Sequence, residues 1–517
     1  MNEKQLQEKI NGTIWSACDT LRSSIPGSNY KDYALVILFV KYLSDTYKEE
    51  KEIASKKYKN DAVMINRYLS RGKFRLSDDC TFDYLYENRN DNEIGAIINK
   101  ALEKITILNG VKLLNLFAGV DFNSQIVFGK MKEKNAILRN LLQDFHNEDI
   151  DLRPSKIGNL DIIGNAYEYL IAKFAGDSGK KGGEFYTPAE VSILLAKLVK
   201  PKENDRIYDP ACGSGSLLLK ATKEVKDKRV SVYGQESNSS TYNLCRMNMF
   251  LHGINDAHIE WGDTISNPLH LENDDLMKFD VIVSNPPFSL DKWAKGFEPQ
   301  NTTTSLDDGK KKNIFKMEAN LDQYNRFEYG VPPKSIGDYA FIEHMLKSLD
   351  EEGRMAVVLP HGTLFRGASE GIIRQRIIED NLIDAIIGLP ENLFYGVSIP
   401  ATIVVFKKNR KREDVLFIEA SREYEKGKNQ NKLAKENIEK ILEVYRNYEE
   451  IEKYSYIASR EEIKENEYNL NIKRYVDTFE AEEEINIEET KKNIVKINKE
   501  LQVLEKELER SLKELGL

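Results

Sequence analysis

RIYDPACGSGSLLLKATKEVKDKRVSVYGQE, residues 206–236, decides the fold. A short apolar run, Ile207-Tyr208, leads into a glycine-rich turn. The turn opens a helical stretch at Leu217, and the chain returns as a second apolar run, VSVY. Strand, glycine turn, helix and strand in this order begin a mostly parallel, doubly wound α/β sheet. The pattern continues through HIEWGD, FDVIVSNPP, GRMAVVLP, LIDAIIGLP and SIPATIVVF, with helical segments such as SSTYNLCRMNMFLHG and GDYAFIEHMLKSL between several of them. Ligands of such a fold sit beyond the carboxyl ends of the strands, so function is sought in the residues that follow each apolar run.

Around this core the texture differs. Residues 1–150 read as helical: in KDYALVILFVKYLSDTY, Leu35, Leu38, Phe39, Tyr42 and Leu43 fall on one helix face, with Asp32 as the expected N-cap. NEIGAIINKALEKI repeats this type of pattern, and LDIIGNAYEYLIAKFA opens the next region before the break GDSGKKGGEFYTP. Residues 289–336 are a long polar connection, expected to be a lid, a binding loop or a disordered segment. From Ile487 onward, Ile494, Ile497, Leu501, Leu504, Leu508 and Leu515 keep a 3–4 spacing, with Thr490 and Ser511 filling gaps. That heptad seam requires a partner helix or the protein's own body to bury it.

Composition bounds the function. The 517 residues suffice for two to four domains, and 41% hydrophobic residues provide sizeable cores. A net charge of −9 argues against a self-sufficient nucleic-acid binder, which is normally basic. The 4 cysteines, Cys18, Cys80, Cys212 and Cys245, form no CxxC pair, so neither a disulfide framework nor a metal site of zinc spacing is expected. No apolar stretch reaches the ~20 residues of a membrane span, so a soluble cytoplasmic protein with no membrane partner is expected.

Three strand ends carry the cofactor chemistry. Asp209-Pro-Ala-Cys-Gly-Ser-Gly-Ser216 places Gly213 and Gly215 where the backbone can approach a ligand. The turn lacks the Lys-Ser/Thr pair of a Walker loop and does not match GxGxxG, which disfavours a pyrophosphate. Glu236 ends the second strand, placed to accept hydrogen bonds from ribose hydroxyls, and Asp263 follows the third. Together they suggest an adenosine-bearing cofactor without a pyrophosphate, and S-adenosylmethionine fits.

The fourth apolar run ends in Asn285-Pro286-Pro287-Phe288. The prolines stiffen the backbone and remove N–H donors. The Asn285 side-chain oxygen and the Pro286 carbonyl can accept both hydrogens of one amine, while Phe288 offers a face for a planar ring. An amine conjugated to such a ring is a poor nucleophile. Accepting its hydrogens orients it and favours sp³ character, so positioning and electrostatic preorganisation carry methyl transfer.

DPACGSGS, Glu236, Asp263 and NPPF resemble, in order, the cofactor and catalytic motifs of amino-methyltransferases acting on adenine N6. Gly183-Glu-Phe-Tyr-Thr-Pro188 resembles the additional cofactor motif of one such class. With IGNAYEYLIAKFA, GVPPKSIGDYAFIEHML, GRMAVVLPHGTLFRG, GLPENLFYGVSIPATIVVF and YNLNIKRYVDT, the chain from about 155 to 477 is similar to modification subunits of type I restriction-modification systems. The resemblance implies a seven-stranded S-adenosylmethionine-dependent methyltransferase sheet over 151–477, a helical domain over 1–150 and a coiled-coil-like assembly helix over 478–517. It implies that Glu184, Phe185, Tyr186, Thr187, Pro188 and Ala189 line the cofactor site. Asp209, Gly213, Ser214, Gly215 and Ser216 then form its wall, Glu236 binds the ribose, and Asp263 lies near the cofactor's adenine amine. Asn285, Pro286, Pro287 and Phe288 hold a target adenine flipped out of double-stranded DNA.

The implied partners are a specificity subunit, with two modification subunits per specificity subunit, and a restriction subunit in the full complex. Asp338, Tyr339 and Phe341 are open between lining the methyl-transfer pocket and serving as cap and core. Lys310–Lys312 and the basic run Lys407, Lys408, Arg410, Lys411 and Arg412 are open between phosphate contacts and solvated turn charge. His344 and His361 read as structural. The alternative substrate class is protein glutamine or RNA, because Asn-Pro-Pro-aromatic motifs also occur in such methyltransferases.

Overall fold

Alternation along the buried strands sets the architecture. Ile207, Val281, Val283, Ala356 and Val358 enter one core, and their neighbours Tyr208, Ile282, Met355 and Val357 enter another. A sheet buried on both faces needs helices on both sides, which is why its strands read as near-continuous apolar runs. The computed structural model describes residues 3–25, 30–158, 160–177, 186–295, 297, 304–307, 310–313, 322–427, 430–478 and 487–514. The chain divides into two compact units, Met1–Val476 and Asp477–Leu517.

Numbered along the chain, the main sheet contains β1 (Arg206–Asp209), β2 (Ser231–Glu236), β3 (His258–Trp261), β4 (Phe279–Ser284) and β5 (Leu349–Pro360). It continues with β6 (Ile383–Gly388), β7 (Ala401–Lys407), β8 (Val415–Glu419) and β9 (Ser455–Ala458). Their spatial order is β9-β8-β6-β7-β5-β4-β1-β2-β3. β1 pairs in parallel with β2 and β4, β2 with β3, β4 with β5, and β6 with β8. β7 is antiparallel to both β5 and β6, and β9 is antiparallel to β8. The sheet therefore has nine strands rather than the expected seven. All seven apolar runs are strands, and the two additions extend the β6 edge.

Strand order reverses at β1, whose neighbours are β2 and β4. A crevice opens at such a reversal, beyond the strand carboxyl ends. The helices Ala189–Val199, Ser216–Lys223 and Lys435–Asn447 contribute to one face, and Asp338–Ser348 and Ala368–Glu379 to the other.

The N-terminal region is helical as expected. Its long helix, Tyr30–Lys57, is buried on every side from Tyr33 to Asp45 rather than along one stripe. The helix begins at Tyr30, so Asp32 lies in the first turn and is not the N-cap. Lys41 and Asp45 form a buried ion pair within it, and Asp45 also accepts the Leu152 N–H at 2.9 Å. One continuous core joins this region to the helix Ser239–Leu251 that follows β2, through contacts such as Phe74 against Phe250 at 5.7 Å. Arg246 of that helix donates to the Leu114 and Lys112 carbonyls.

The 289–336 connection is not simply structureless. Thr304–Asp307 and Lys310–Asn313 form a hairpin, and the chain from residue 322 packs tightly. Trp293 is 2% exposed and donates to the Pro333 carbonyl. Arg326, 1% exposed, pairs with Asp322 and donates to the Thr264 and Ile265 carbonyls, tying this segment to the loop after β3. In the second unit, Ile487–Glu514 is one helix, and Ile494, Ile497, Leu501, Leu504 and Leu508 are exposed on it. Leu515 lies outside the described residues, as do the side chains of Ile487, Thr490 and Ser511.

Candidate active site

Parallel pairing in register brings the strand ends together. Tyr208 lies opposite Ile282, so Asp209 and Ser284 finish side by side, and the Ser284 hydroxyl donates to Asp209 Oδ1 at 2.8 Å. The same oxygen accepts the Ala211 N–H at 3.0 Å, which closes the chain into the glycine turn. Asp209 Oδ2 is buried and has no protein partner. Burial pushes the Asp209 carboxyl up to about 7, and the nearby Glu236 carboxylate adds to the rise. A carboxylate held in this state calls for a cationic or hydrogen-bond-donating ligand.

The glycine turn needs its glycines. Gly213 and Gly215 adopt φ of 53° and 82°, the left-handed region that side chains disfavour. A Cβ on Gly215 would lie 2.5 Å from Met249 Cε and 2.8 Å from Cys245 Sγ. Gly213 N–H donates to Glu236 Oε2 at 3.0 Å, while Glu236 Oε1 accepts the Asn238 N–H at 2.8 Å. Burial raises the Glu236 pKa, and these backbone donors oppose the rise. Ser214 Oγ is buried without a partner, and the Ser214 carbonyl accepts from Asn248 at 2.9 Å. Ser216 begins the helix Ser216–Lys223.

Asn285 follows β4. Its amide nitrogen donates to Thr187 Oγ1 at 3.1 Å, and its Oδ1 is buried with no partner. Thr187 thus joins the motif upstream of the glycine turn to the NPPF turn. Tyr186 is buried beside Tyr395, at 6.0 Å between ring centroids. Pro188 precedes the helix Ala189–Val199, which begins with Ala189. Glu184 and Phe185 lie outside the described residues. Pro286 is buried, Pro287 exposed, and Phe288 half-buried with its ring edge-to-face with Phe394 at 6.1 Å.

Asp263 stands after β3 at the same sheet edge. Its Oδ1 accepts the Ile265 and Ser266 N–H groups, so it shapes its own loop. Several supporting residues were not anticipated. Thr264 donates to the Pro210 carbonyl at 2.6 Å, and the buried Gln235 binds the Asn267 carbonyl and the Leu269 N–H. Their only sequence signal is a polar residue at or just past a strand end.

Most of the residues left open between two roles make contacts within the chain. Asp338 accepts the Ser289 N–H and pairs with Arg366, the Tyr339 hydroxyl donates to the Thr363 carbonyl, and Phe341 enters the core. Lys407 and Arg410 pair with Asp384, and Arg412 with Asp414; Arg410 is buried, whereas Lys407 and Arg412 stay partly in solvent. His344 is buried between Tyr208 and Arg326, and His361 lies beside Phe365. Lys310–Lys312 fall on the hairpin, where only the backbone is described.

Three orphaned polar atoms, Asp209 Oδ2, Ser214 Oγ and Asn285 Oδ1, occupy adjoining turns at the crevice. Asp209 Oδ2 and Ser214 Oγ, with Glu236 alongside, make an acceptor set that fits S-adenosylmethionine, whose sulfonium is cationic and whose amine and ribose hydroxyls are donors.

The chain is similar to known proteins over nearly its whole length. The N-6 DNA Methylase family model matches residues 158–484, and the HsdM N-terminal domain model matches residues 10–145. The type I restriction enzyme MpnII methylase subunit of Mycoplasma pneumoniae is 34% identical, over 94% of this chain and 93% of that protein. The MjaVIII methylase subunit of Methanocaldococcus jannaschii is 33% identical, over 96% of this chain and 83% of its own length. Among solved structures, the type I restriction-modification methyltransferase subunit from Streptococcus thermophilus superposes with a TM-score of 0.78 at 35% identity. That alignment covers 92% of this chain and 100% of the solved one.

Proposed function

The chain belongs to the N-6 DNA methylase family as a type I modification subunit, and from its site we propose how it methylates adenine N6 in DNA. The observation that carries the reading is Asn285: at the end of β4, its Oδ1 is buried without a partner while its amide nitrogen is held by Thr187. A rigid acceptor there receives a hydrogen of the N6 amine. The Pro286 carbonyl takes the other hydrogen, and Phe288 stacks on the base.

When bound, S-adenosylmethionine supplies an electrophilic methyl group on its sulfonium. Thr187 and Pro188 lie near its methionine end and Glu236 holds its ribose, with Asp209, Gly213, Ser214, Gly215 and Ser216 forming the wall and Tyr186 and Ala189 lining the site. Asp263 lies toward the adenine end. Asn285 orients the amine lone pair before the methyl moves; the N–C bond forms as the sulfonium C–S bond breaks to a neutral thioether, and the surplus N6 proton leaves to solvent afterwards, so the chain's contribution is alignment. The target adenine is flipped from the duplex into this crevice, at a cost of about a few kcal/mol.

The division of the chain follows: a helical domain over 1–150, the methyltransferase over 151–477 and an assembly helix over 478–517. Exposure of Ile494, Ile497, Leu501, Leu504 and Leu508 supports helix pairing with another subunit. The net charge of −9 supports delegation of duplex binding to a specificity subunit, at two modification subunits per specificity subunit, with a restriction subunit joining the full complex. Co-purification with the neighbouring gene's product, followed by mapping of methylated adenines, tests this. Modified adenines at one defined sequence are expected. Methyl groups on protein or RNA instead would overturn it.

A further inference from the structure

Two consecutive prolines leave the NPPF turn without N–H donors at 286 and 287, so its backbone is held from its ends. Upstream, Ser284 is anchored to Asp209. Downstream, the Ser289 N–H donates to Asp338 Oδ1 at 2.7 Å, and Ser289 Oγ lies 3.4 Å from Oδ2. Ser289 adopts φ of 49°, in the left-handed region that is uncommon for a residue with a side chain. Phe288 immediately precedes it. The aromatic face is therefore set from two sides, by Phe394 against the ring and by the Asp338 hold on the Ser289 backbone.

Asp338 is itself 1% exposed, and a buried carboxylate requires a cation. Arg366 provides it. Its Nη2 binds Asp338 Oδ2, its Nη1 lies 3.5 Å from Ser289 Oγ, and its Nε faces Glu370 Oε2 at 2.8 Å. Arg374 donates to the Arg366 carbonyl at 2.8 Å and to the Thr363 carbonyl, so the segment carrying Arg366 is fastened to the helix Ala368–Glu379. One guanidinium thus joins two buried carboxylates and the residue that follows Phe288.

We propose that Arg366 is a positioning residue for methyl transfer: through Asp338 it clamps Ser289 and thereby fixes the Phe288 wall against which the target base stacks. The proposal rests on the function given above. Arg366 touches neither cofactor nor base in this role. It sets the geometry of the groups that do.

The test uses the full-length chain assembled with its specificity subunit and a cognate duplex. Arg366→Met strands two buried carboxylates side by side and releases Ser289, and displacement of the wall by about 1 Å slows single-turnover methyl transfer about 100-fold. Cofactor affinity and the KM for DNA are expected to stay within about threefold of wild type, because the cofactor-binding strand ends are not touched. Combining it with Asp338→Asn restores activity about tenfold, since the amide oxygen still accepts the Ser289 N–H and one stranded charge is gone. Should Arg366→Met not fold, Arg366→Lys serves instead. A single ammonium cannot reach Asp338, Ser289 and Glu370 together, and an approximately tenfold loss in rate is expected.

A wild-type rate in the folded Arg366 variant would overturn the clamp. So would a raised KM for DNA with kcat intact, which marks a direct phosphate contact, or a double variant no faster than the single one. Asn285→Ala assayed alongside separates the two claims. Activity there overturns the proposed function, whereas its loss beside a fully active Arg366 variant overturns only the clamp.

Discussion

Replacing Asp209 by Asn is expected to stabilise the cofactor-free protein at neutral and alkaline pH while weakening its cofactor site. Asp209 is 0% exposed, and burial lifts its carboxyl from 3.8 to about 7. A carboxyl with a raised pKa binds its proton more tightly in the folded than in the unfolded state. Folded stability therefore falls as pH rises from 3.8 to about 7, and is flat above that. The full shift corresponds to about 4 kcal/mol, of which about 3 is expressed by about pH 6, leaving about 1 kcal/mol between about pH 6 and 8.5. An amide keeps the oxygen that accepts from Ala211 and Ser284 and carries no charge. It also places an NH₂ where Oδ2 has no partner, costing about 1–3 kcal/mol, so the net gain at high pH is about 1–3 kcal/mol. Denaturant unfolding of both full-length proteins without cofactor, at several pH values across this window, measures the gap. It should widen in favour of Asp209→Asn by about 1 kcal/mol as pH rises. A pH-independent gap, or one that widens toward acid, would refute the assignment of a raised pKa to an unsatisfied Asp209.

Gly215→Ala forces an alanine to φ of 82° and drives its methyl against Met249 and Cys245. The left-handed backbone costs about 1–2 kcal/mol and the packing conflict about 1–3, so calorimetry should show cofactor affinity reduced at least about tenfold. The isolated chain, at net charge −9, should bind duplex DNA weakly. Fluorescence anisotropy should show tight, salt-dependent binding only after the specificity subunit is added, and tight binding by the chain alone would contradict this division.

Much of the candidate site was legible because strand ends in a parallel sheet converge whatever lies between them. Asp209, Glu236 and Asn285 could be placed from their positions after apolar runs, and the structure brings Asp209 and Ser284 into contact through the β1–β4 register. What escaped depends on tertiary partners. β8 is a five-residue run behind the basic segment KKNRKRED, and β9 is an edge strand of mixed burial, so neither stood out by periodicity. Asp32 looked like a cap because the polar-to-apolar boundary falls there, yet the helix extends back to Tyr30. The basic run after β7 drew attention as charge, and only the fold shows Arg410 turned inward to Asp384. Arg366 offered locally only its spacing to Glu370, four residues on, since its partners Asp338 and Ser289 lie 28 and 77 residues away.

The most direct measurement follows isotope-labelled methyl groups into cognate duplex DNA, using the chain assembled with its specificity subunit. Wild type and Asn285→Ala are assayed beside cofactor-binding isotherms. Label on adenine N6 with wild type is predicted, with none detectable from Asn285→Ala although that variant binds S-adenosylmethionine within about threefold of normal. Label at the wild-type rate from Asn285→Ala, or label on protein or RNA in place of adenine, would contradict the account.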